Sequence, residues 1–345
     1  KTNPDLIHEI RNKIANHQLI IKNSVIENII FPKNINLQLS LHQYLLSTLL
    51  GTMFNRIVLY SIHRNKKIIF PLPIPWLRII ETSGLKVSYF WSCCFFYSYI
   101  FFSLIYGFFT LVKHLFKYSK RIKINQKYSY FFNLDQKCFP SHNDKDSHDI
   151  INWYTKKYIV RNSHNARLIV HSVSNVGNFN FEEHNIMYAQ DHFPRISFLN
   201  FYFKFVPAVV ITTLIIMLTF RVRNIILLKE IIDMYAFKFG DKNCIAQNYF
   251  FSFTNLLYRP IWTYIAELKG SSLIFYFYAC NISNYKEPNK QYSIVPEFFQ
   301  VFNWPKYLVW NKHHAEYIRN LIAHPSDIEV VGPIGMQDSS IALPK

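Results

Sequence analysis

From Val87 to Val112 the chain runs for 26 residues without a charge or a histidine, bounded by Lys86 and Lys113. At a helical rise of about 1.5 Å per residue, such a run is long enough to cross the hydrocarbon core of a bilayer. Any fold this chain adopts must bury the segment, pass it through a membrane or lay it on one. The run is crowded with aromatic residues and serines, among them Tyr89, Trp91, Phe95, Phe96 and Ser98, and Lys and Arg are dense on both sides of it. Positive charge at both ends gives no orientation for a crossing. A helix lying in the interface suits that charge better, with Lys113, Lys117, Lys120, Arg121 and Lys123 reaching headgroups. A buried core helix and a crossing helix are the alternatives. A second run, Phe205–Phe220, holds 16 uncharged residues and Pro207 and falls below the usual spanning length, so a buried helix or strand pair is expected there.

The rest of the composition narrows the class. Half of the residues are hydrophobic, with 32 Phe and 23 Tyr, which is ample for a core and too apolar for general disorder. The formal charge of +17, from 38 Lys and Arg against 21 Asp and Glu, favours phosphate-rich partners: nucleic acid, anionic lipid or nucleotide sugar. An AT-rich coding sequence would also enrich Lys, Asn, Ile, Phe and Tyr, so part of the excess need not be functional. The basic residues are scattered between apolar stretches instead of lining one aromatic-studded face, which argues against nucleic acid. With 8 Gly in the whole length, neither GxGxxG nor GxxxxGK[ST] occurs, which excludes a dinucleotide fingerprint and a P-loop. Cys93, Cys94, Cys138, Cys244 and Cys280 contain no CxxC pair and read as buried thiols in a reducing compartment. The adjacent His313 and His314 point in different directions on a helix, and neither a metal site nor a bound cofactor is expected. The first twenty residues are polar and mixed in charge, unlike a signal peptide. The chain opens at Lys1 without Met and stops at Lys345 soon after a strand-like run, which suggests a fragment.

The final third is the most regular part. Asn224–Gly240 has apolar residues at helical spacing and is expected to end on a glycine cap. There follow a strand-like Cys244–Phe251, a helix near Leu257–Lys269 closed by Gly270, a strand Ser272–Ala279, a strand Tyr307–Trp310, a helix Asn311–Ile322 and a strand Ile328–Val331. Strands alternating with amphipathic helices mean an α/β fold with a parallel sheet buried on both faces. Lys67–Pro71 and Pro75–Ser83 predict an earlier strand and helix, the helix closed by Gly84.

In open α/β sheets the ligand crevice lies beyond the carboxyl ends of the strands. The segments in those places are unusually polar: Ser252-Phe-Thr-Asn255, Asn281-Ile-Ser283, and Asn311, Lys312 and His313. Asn311 also reads as a simple helix cap. Here the sequence resembles the bacterial polysaccharide biosynthesis proteins named for a Pro-Phe-Thr-Ser motif. The similar stretches are Phe251-Ser-Phe-Thr-Asn-Leu-Leu-Tyr-Arg-Pro-Ile-Trp-Thr-Tyr-Ile-Ala-Glu267, Ile274-Phe-Tyr-Phe-Tyr-Ala-Cys-Asn281, Asn303-Trp-Pro-Lys-Tyr-Leu-Val-Trp310 and Glu329-Val-Val-Gly-Pro-Ile334. At the motif itself only Phe253 and Thr254 match, between Ser252 and Asn255.

The resemblance implies a GT-B-type glycosyltransferase, in which two Rossmann-like halves face across a cleft. Residues 1–331 would then form the amino-terminal, acceptor-side half, a Rossmann-like parallel sheet with the apolar segment 87–112 as a membrane-associating helical insertion. Residues 332–345, opening on Gly332-Pro333, would begin a linker to a nucleotide-sugar-binding half. It further implies a nucleotide-sugar donor, a lipid-linked or cell-surface glycan acceptor, no catalytic metal, and a cytoplasmic location peripheral to the inner face of the cytoplasmic membrane, on an anionic surface. On this reading the 345 residues alone transfer nothing and bind nucleotide sugars weakly, which calorimetric titration would measure. If the reaction inverts at the sugar carbon, a base must take the acceptor hydroxyl proton. Asp191 and His192, in Tyr188-Ala-Gln-Asp-His-Phe-Pro-Arg195, form the most concentrated acid/base pair in the chain. Glu267 is a further catalytic candidate. Arg259, eight residues before it and thus able to share a helix face, matches phosphate oxygens with its guanidinium fork. Thr254, Asn255, Asn281 and His313 complete the set of expected substrate contacts. A non-catalytic membrane protein of polysaccharide assembly or export is the alternative, resting on the two apolar runs.

Overall fold

In the computed structural model of the protein, the residues described are 3–17, 31–32, 35–117, 124, 126–132, 134, 136–139, 150–159, 167–181, 183–219, 221–252, 258–277, 301–322 and 326–334. Among them the sheet has eight strands: β1 (Tyr128–Phe131), β2 (Leu168–His171), β3 (Phe179–Phe181), β4 (His184–Tyr188), β5 (Asn248–Ser252), β6 (Ser272–Tyr276), β7 (Lys306–Val309) and β8 (Asp327–Val330). Their order is β3-β4-β2-β1-β5-β6-β7-β8. All neighbours are parallel except β3 and β4, an antiparallel pair at one edge. The chain lays β2 and β4 on one side of β1 and then returns to lay β5 to β8 on the other, so the order reverses between β1 and β5.

Alternation along the strands sorts the side chains into two cores. Tyr130, Tyr249, Phe251, Phe275 and Tyr307 face one, while Phe131, Ile169, Phe250, Ile274 and Leu308 face the other. Burial on both faces explains why these strands read as unbroken apolar runs. Across β1 and β5, Phe131 stacks on Phe250 and Phe132 on Phe251, each pair with ring centroids 4.5 Å apart. Helices cover both faces: α1 (Asn3–Asn16), α2 (Leu37–Leu49), α3 (Thr52–His63), α4 (Ile74–Thr82), α5 (Tyr89–Lys117), α6 (Ile150–Trp153, continuing as a π turn over Tyr154–Tyr158), α7 (Phe198–Leu218), α8 (Leu228–Phe239), α9 (Ile261–Leu268) and α10 (Lys312–Leu321).

The helices of the final third fall where the spacing puts them. Gly270 closes α9 with φ +96°, a conformation that a side chain would strain. Asn311 caps α10, its Oδ1 accepting from the His314 N–H at 2.8 Å. Gly240 differs from the expected left-handed cap: its backbone is extended, at φ −71° and ψ 155°. A Cβ there would lie 2.3 Å from Cγ of Pro194 and 2.7 Å from the Ala236 carbonyl oxygen, so close approach explains this glycine. Because a proline ring and a backbone oxygen yield little, Gly240→Ala is expected to lower stability by about 2 kcal/mol, read as a shift in the chemical-denaturation midpoint at unchanged slope. Lys67–Pro71 also departs from expectation. It joins no strand of the sheet, and Ile68 makes only an isolated parallel bridge to Val87.

The apolar runs form α5 and α7. On α5, Ser92, Phe96, Ile100, Thr110 and His114 are buried along one stripe, with Phe70 N–H donating to Ser92 Oγ at 3.1 Å. The opposite face leaves Phe90, Trp91, Phe101, Phe102, Phe108 and Phe109 exposed. The second run corrects the expectation of a short buried element. Phe198–Phe205 extends it into one helix of 21 residues, whose Phe201, Phe205, Val209, Thr212 and Ile216 are buried while Leu199, Phe203, Ile211, Leu214 and Leu218 are exposed. A π segment over Phe201–Phe205 precedes Pro207, which has no N–H for the backbone ladder. By length and composition α5 and α7 could each cross a membrane. Both pack on α8, which is buried almost all round. The thiols divide as well: Cys138 and Cys244 are buried, but Cys94 is exposed on α5 and Cys93 is half-buried, correcting the uniform burial expected; Cys280 lies outside the described residues.

Candidate functional site

Beyond the carboxyl ends of β1, β2 and β4 lies a cavity of about 400 Å³. The residues directly after each strand line it: Phe132 after β1, Ser172 after β2, and Gln190, Asp191 and His192 after β4. The last turns of α5 form one wall with Tyr106, Phe109, Thr110, Lys113 and His114, and α8 adds Lys229 and Asp233. The parallel pairing of β1, β2 and β4 gathers these segments on one rim, as the crevice rule requires.

Asp191 and His192 therefore stand together on this rim, both half-buried. Asp191 Oδ1 accepts from the Phe193 N–H at 3.2 Å, a local turn that fixes the carboxylate. The His192 ring sits among aromatics, 4.7 Å from Phe132 and 4.6 Å from Trp262 between centroids. Tyr130 reaches the same place from inside β1. Burial pushes its hydroxyl well above the ordinary tyrosine range, against a hydrogen bond with Ser172 and with the Asp191 charge adding to the rise. It is a neutral donor at neutral pH. At the end of β2, His171 is buried and its pKa is lowered by that burial. Its Nδ1 accepts from the Val173 N–H at 3.2 Å and its Nε2 donates to the Gly177 carbonyl at 3.1 Å, so this imidazole anchors the loop that carries Ser172.

A second charged group borders the cavity, and no motif of the sequence singles it out. His114 Nε2 donates to Asp233 Oδ1 at 3.0 Å, with both side chains almost fully buried. Lys229 donates to the other carboxylate oxygen of Asp233 at 2.7 Å and lies 3.4 Å from Glu230. Burial alone would raise the Asp233 pKa, but Lys229 and His114 outweigh it and hold the carboxyl below its usual range. Burial likewise opposes the charge on Lys229, and Glu230 and Asp233 overcome it, so the ammonium persists. Glu230 also accepts from the Tyr258 hydroxyl at 3.1 Å and the Ile261 N–H at 3.3 Å, linking α8 to the start of α9. The i, i+4 pair Lys229 and Asp233 is visible as helix spacing. Its partner His114, 119 positions away, is not.

The other expected site residues lie elsewhere. Arg259 and Glu267 do come together, in an ion pair along α9. Arg259 is buried, with Nε donating to Thr263 Oγ1 at 3.1 Å, one Nη to the Asn303 carbonyl at 3.3 Å, and its guanidinium 3.8 Å above the Tyr264 ring. That fork is spent on holding α9 against the segment before β7, and neither residue lines the cavity. His313 is exposed in the first turn of α10. Thr254, Asn255 and Asn281 lie outside the described residues, although the strands they follow, β5 and β6, are parallel neighbours. A second cavity, of about 390 Å³, opens at the amino ends of β1, β5 and β6 beside Lys127, Lys242 and Lys269. There Lys269 donates to the carbonyls of Phe237 and Gly240 at 2.6 and 2.9 Å, capping the end of α8.

A family model described as "Polysaccharide biosynthesis PFTS motif protein" matches residues 209–345. The match takes in β5 to β8 and α8 with Lys229 and Asp233, while Asp191, His192 and α5 precede it. No curated protein and no solved structure matches the chain.

Proposed function

We propose that this chain is the acceptor side of a glycosyltransferase of bacterial surface-polysaccharide biosynthesis, working on the inner face of the cytoplasmic membrane. The observation that carries the reading is the cavity at the carboxyl rim of the parallel strands, where Asp191 and His192 meet beneath a helix whose outer face is apolar. The family match supplies the pathway, polysaccharide biosynthesis. The mostly parallel sheet, whose strand order reverses between β1 and β5, supports a Rossmann-like half of GT-B type. In this scheme Asp191 or His192 takes the proton of an acceptor hydroxyl as the sugar carbon of a nucleotide-sugar donor is attacked and the nucleotide diphosphate leaves. Tyr130 and Ser172 orient the hydroxyl. Thr254, Asn255 and Asn281, which follow β5 and β6 in the chain, and His313, which follows β7, are assigned to substrate binding. Arg259 and Glu267 act here as a positioning pair for α9, whose Trp262 backs the His192 ring.

The test is sugar transfer from radiolabelled nucleotide sugars by the full-length protein in native membranes. Asp191→Asn keeps the acceptor oxygen for the Phe193 N–H and removes the base. It is expected to lower kcat by about a hundredfold or more with KM little changed. Wild-type transfer by Asp191→Asn, with His192→Gln equally active, would overturn the assignment. A second reading, a non-catalytic membrane protein of polysaccharide assembly, is favoured by α5 and α7 both being long enough to cross a bilayer. It is preferred if no nucleotide sugar supports incorporation and both helices resist alkaline extraction.

A further inference from the structure

We propose that the cavity takes the sugar head of a membrane-anchored glycolipid, admitted from the bilayer along α5. This rests on the transferase reading only in identifying that head as the acceptor. The first observation concerns the mouth. Tyr106 and Phe109 line the cavity yet are 57% and 63% exposed, and they continue the apolar outer face made by Phe101, Phe102 and Phe108 on the same helix. A ligand with its head among Asp191, His192 and Lys229 would have its tail beside these rings, on the surface that suits lipid. A fully water-soluble glycan would gain nothing from that rim.

The second observation is charge. The cavity sets two ammonium groups, Lys113 and Lys229, against two carboxylates, Asp191 and Asp233, and Lys229 is already paired with Asp233 at 2.7 Å. Among the described lining residues, such a balance offers a phosphate no excess of cations. It suits a neutral polyol, whose hydroxyls donate to carboxylates and accept from ammonium groups. Aromatic walls, Phe132 and Phe193, offer ring faces to the C–H surface of a sugar, and about 400 Å³ falls within the range of small-molecule sites, roughly 300–1,000 Å³.

Photolabelling tests this directly. The full chain in phosphatidylcholine–phosphatidylglycerol vesicles is irradiated with an alkyl glucoside carrying a diazirine near the glycosidic oxygen, and labelled peptides are mapped. Label is expected on peptides spanning 106–113 and 188–193. Octyl glucoside should displace it at least about tenfold better than free glucose or octyl phosphate, and Asp191→Asn should weaken labelling about tenfold, the scale of one charge-assisted hydrogen bond. Met53→Ser, exposed on α3 and outside both α5 and the cavity, should leave the cavity label in place. Equal displacement by octyl phosphate would overturn the neutral head, equal displacement by glucose would overturn the lipid anchor, and label spread evenly along α5 would overturn the site. Cavity labelling in a protein that transfers no sugar supports this inference and sinks the transferase reading. Transfer to soluble glycans without cavity labelling does the reverse.

Discussion

Asp233→Ala is expected to lower the stability of the protein by about 3 kcal/mol. Removing one member of a buried charge pair leaves its partner's charge without compensation, at a cost of roughly 3–5 kcal/mol. The low end applies because Lys229 has a side-chain exposure of 37% and can turn toward water, whereas His114, at 4%, cannot. The substitution also frees the last turns of α5 from α8, since His114 to Asp233 is a direct link between them. The pH dependence has a definite sign. Asp233 has a folded pKa below its unfolded value, so its contribution is complete above the unfolded value, near 4, and fades as pH falls through the folded one. Wild-type stability should therefore fall on acidification below about pH 4 more steeply than that of Asp233→Ala. Urea denaturation across that range measures both. A change within about 0.5 kcal/mol, with parallel pH profiles, would show that α5 is held by its apolar stripe alone.

The parts of the fold legible in the sequence are those where local rules and tertiary packing agree. From Leu228 to Val330, the helices and strands fall within a few residues of the positions that periodicity, Asn311 and Gly270 mark, because each amphipathic helix buries the face its own spacing creates. The first half of the sheet is illegible. Tyr128–Phe131 and Leu168–His171 are four-residue strands, too short to show a period, and they are recognisable only by the register that places the first beside β5 and the second beside the first. Gly240 reads as a conformational signal, whereas its cause is the ring of Pro194, a neighbour that the local pattern does not reveal.

The site divides in the same way. Asp191 and His192 are legible because an acid beside a histidine in a non-periodic segment is a local feature, and β4 delivers it to the carboxyl rim. His114 follows the lysine that closes the neutral run, and Asp233 lies on a helix that reads as ordinary and amphipathic. Nothing in either neighbourhood indicates that they meet, and a long-range ion pair of this kind is visible only once α5 is docked on α8. Arg259 and Glu267 do pair, but Arg259 precedes α9 and reaches Glu267 from outside the helix, so the shared helix face expected from the eight-residue spacing is not what joins them. Spacing cannot show that the guanidinium is buried against Tyr264 and Asn303, where its donors are already used.

Replacing Phe101, Phe102 and Phe108 together with Ser is expected to weaken binding of the chain to anionic vesicles about a hundredfold. These rings are 59%, 64% and 62% exposed and share the outer face of α5. Fully burying a phenylalanine is worth about 1.5–3 kcal/mol, so the portion left open here contributes about 1 kcal/mol per ring if lipid covers it. Three such rings correspond to about two orders of magnitude in partitioning. The protein should nonetheless be released by carbonate at high pH. From Ser92 to His114 the inner stripe of α5 is packed against the body of the protein, so a crossing orientation would take the flank of the α/β domain into hydrocarbon with it. On α7, Lys204 is exposed one residue before the uncharged run, a charge that costs about 3 kcal/mol at the centre of a bilayer but little at the interface, where the ammonium reaches water. Both helices therefore fit the surface of a membrane better than its interior. Undiminished vesicle binding by the triple variant would remove α5 as the contact, and retention of the wild type after carbonate would show that at least one of the two helices crosses.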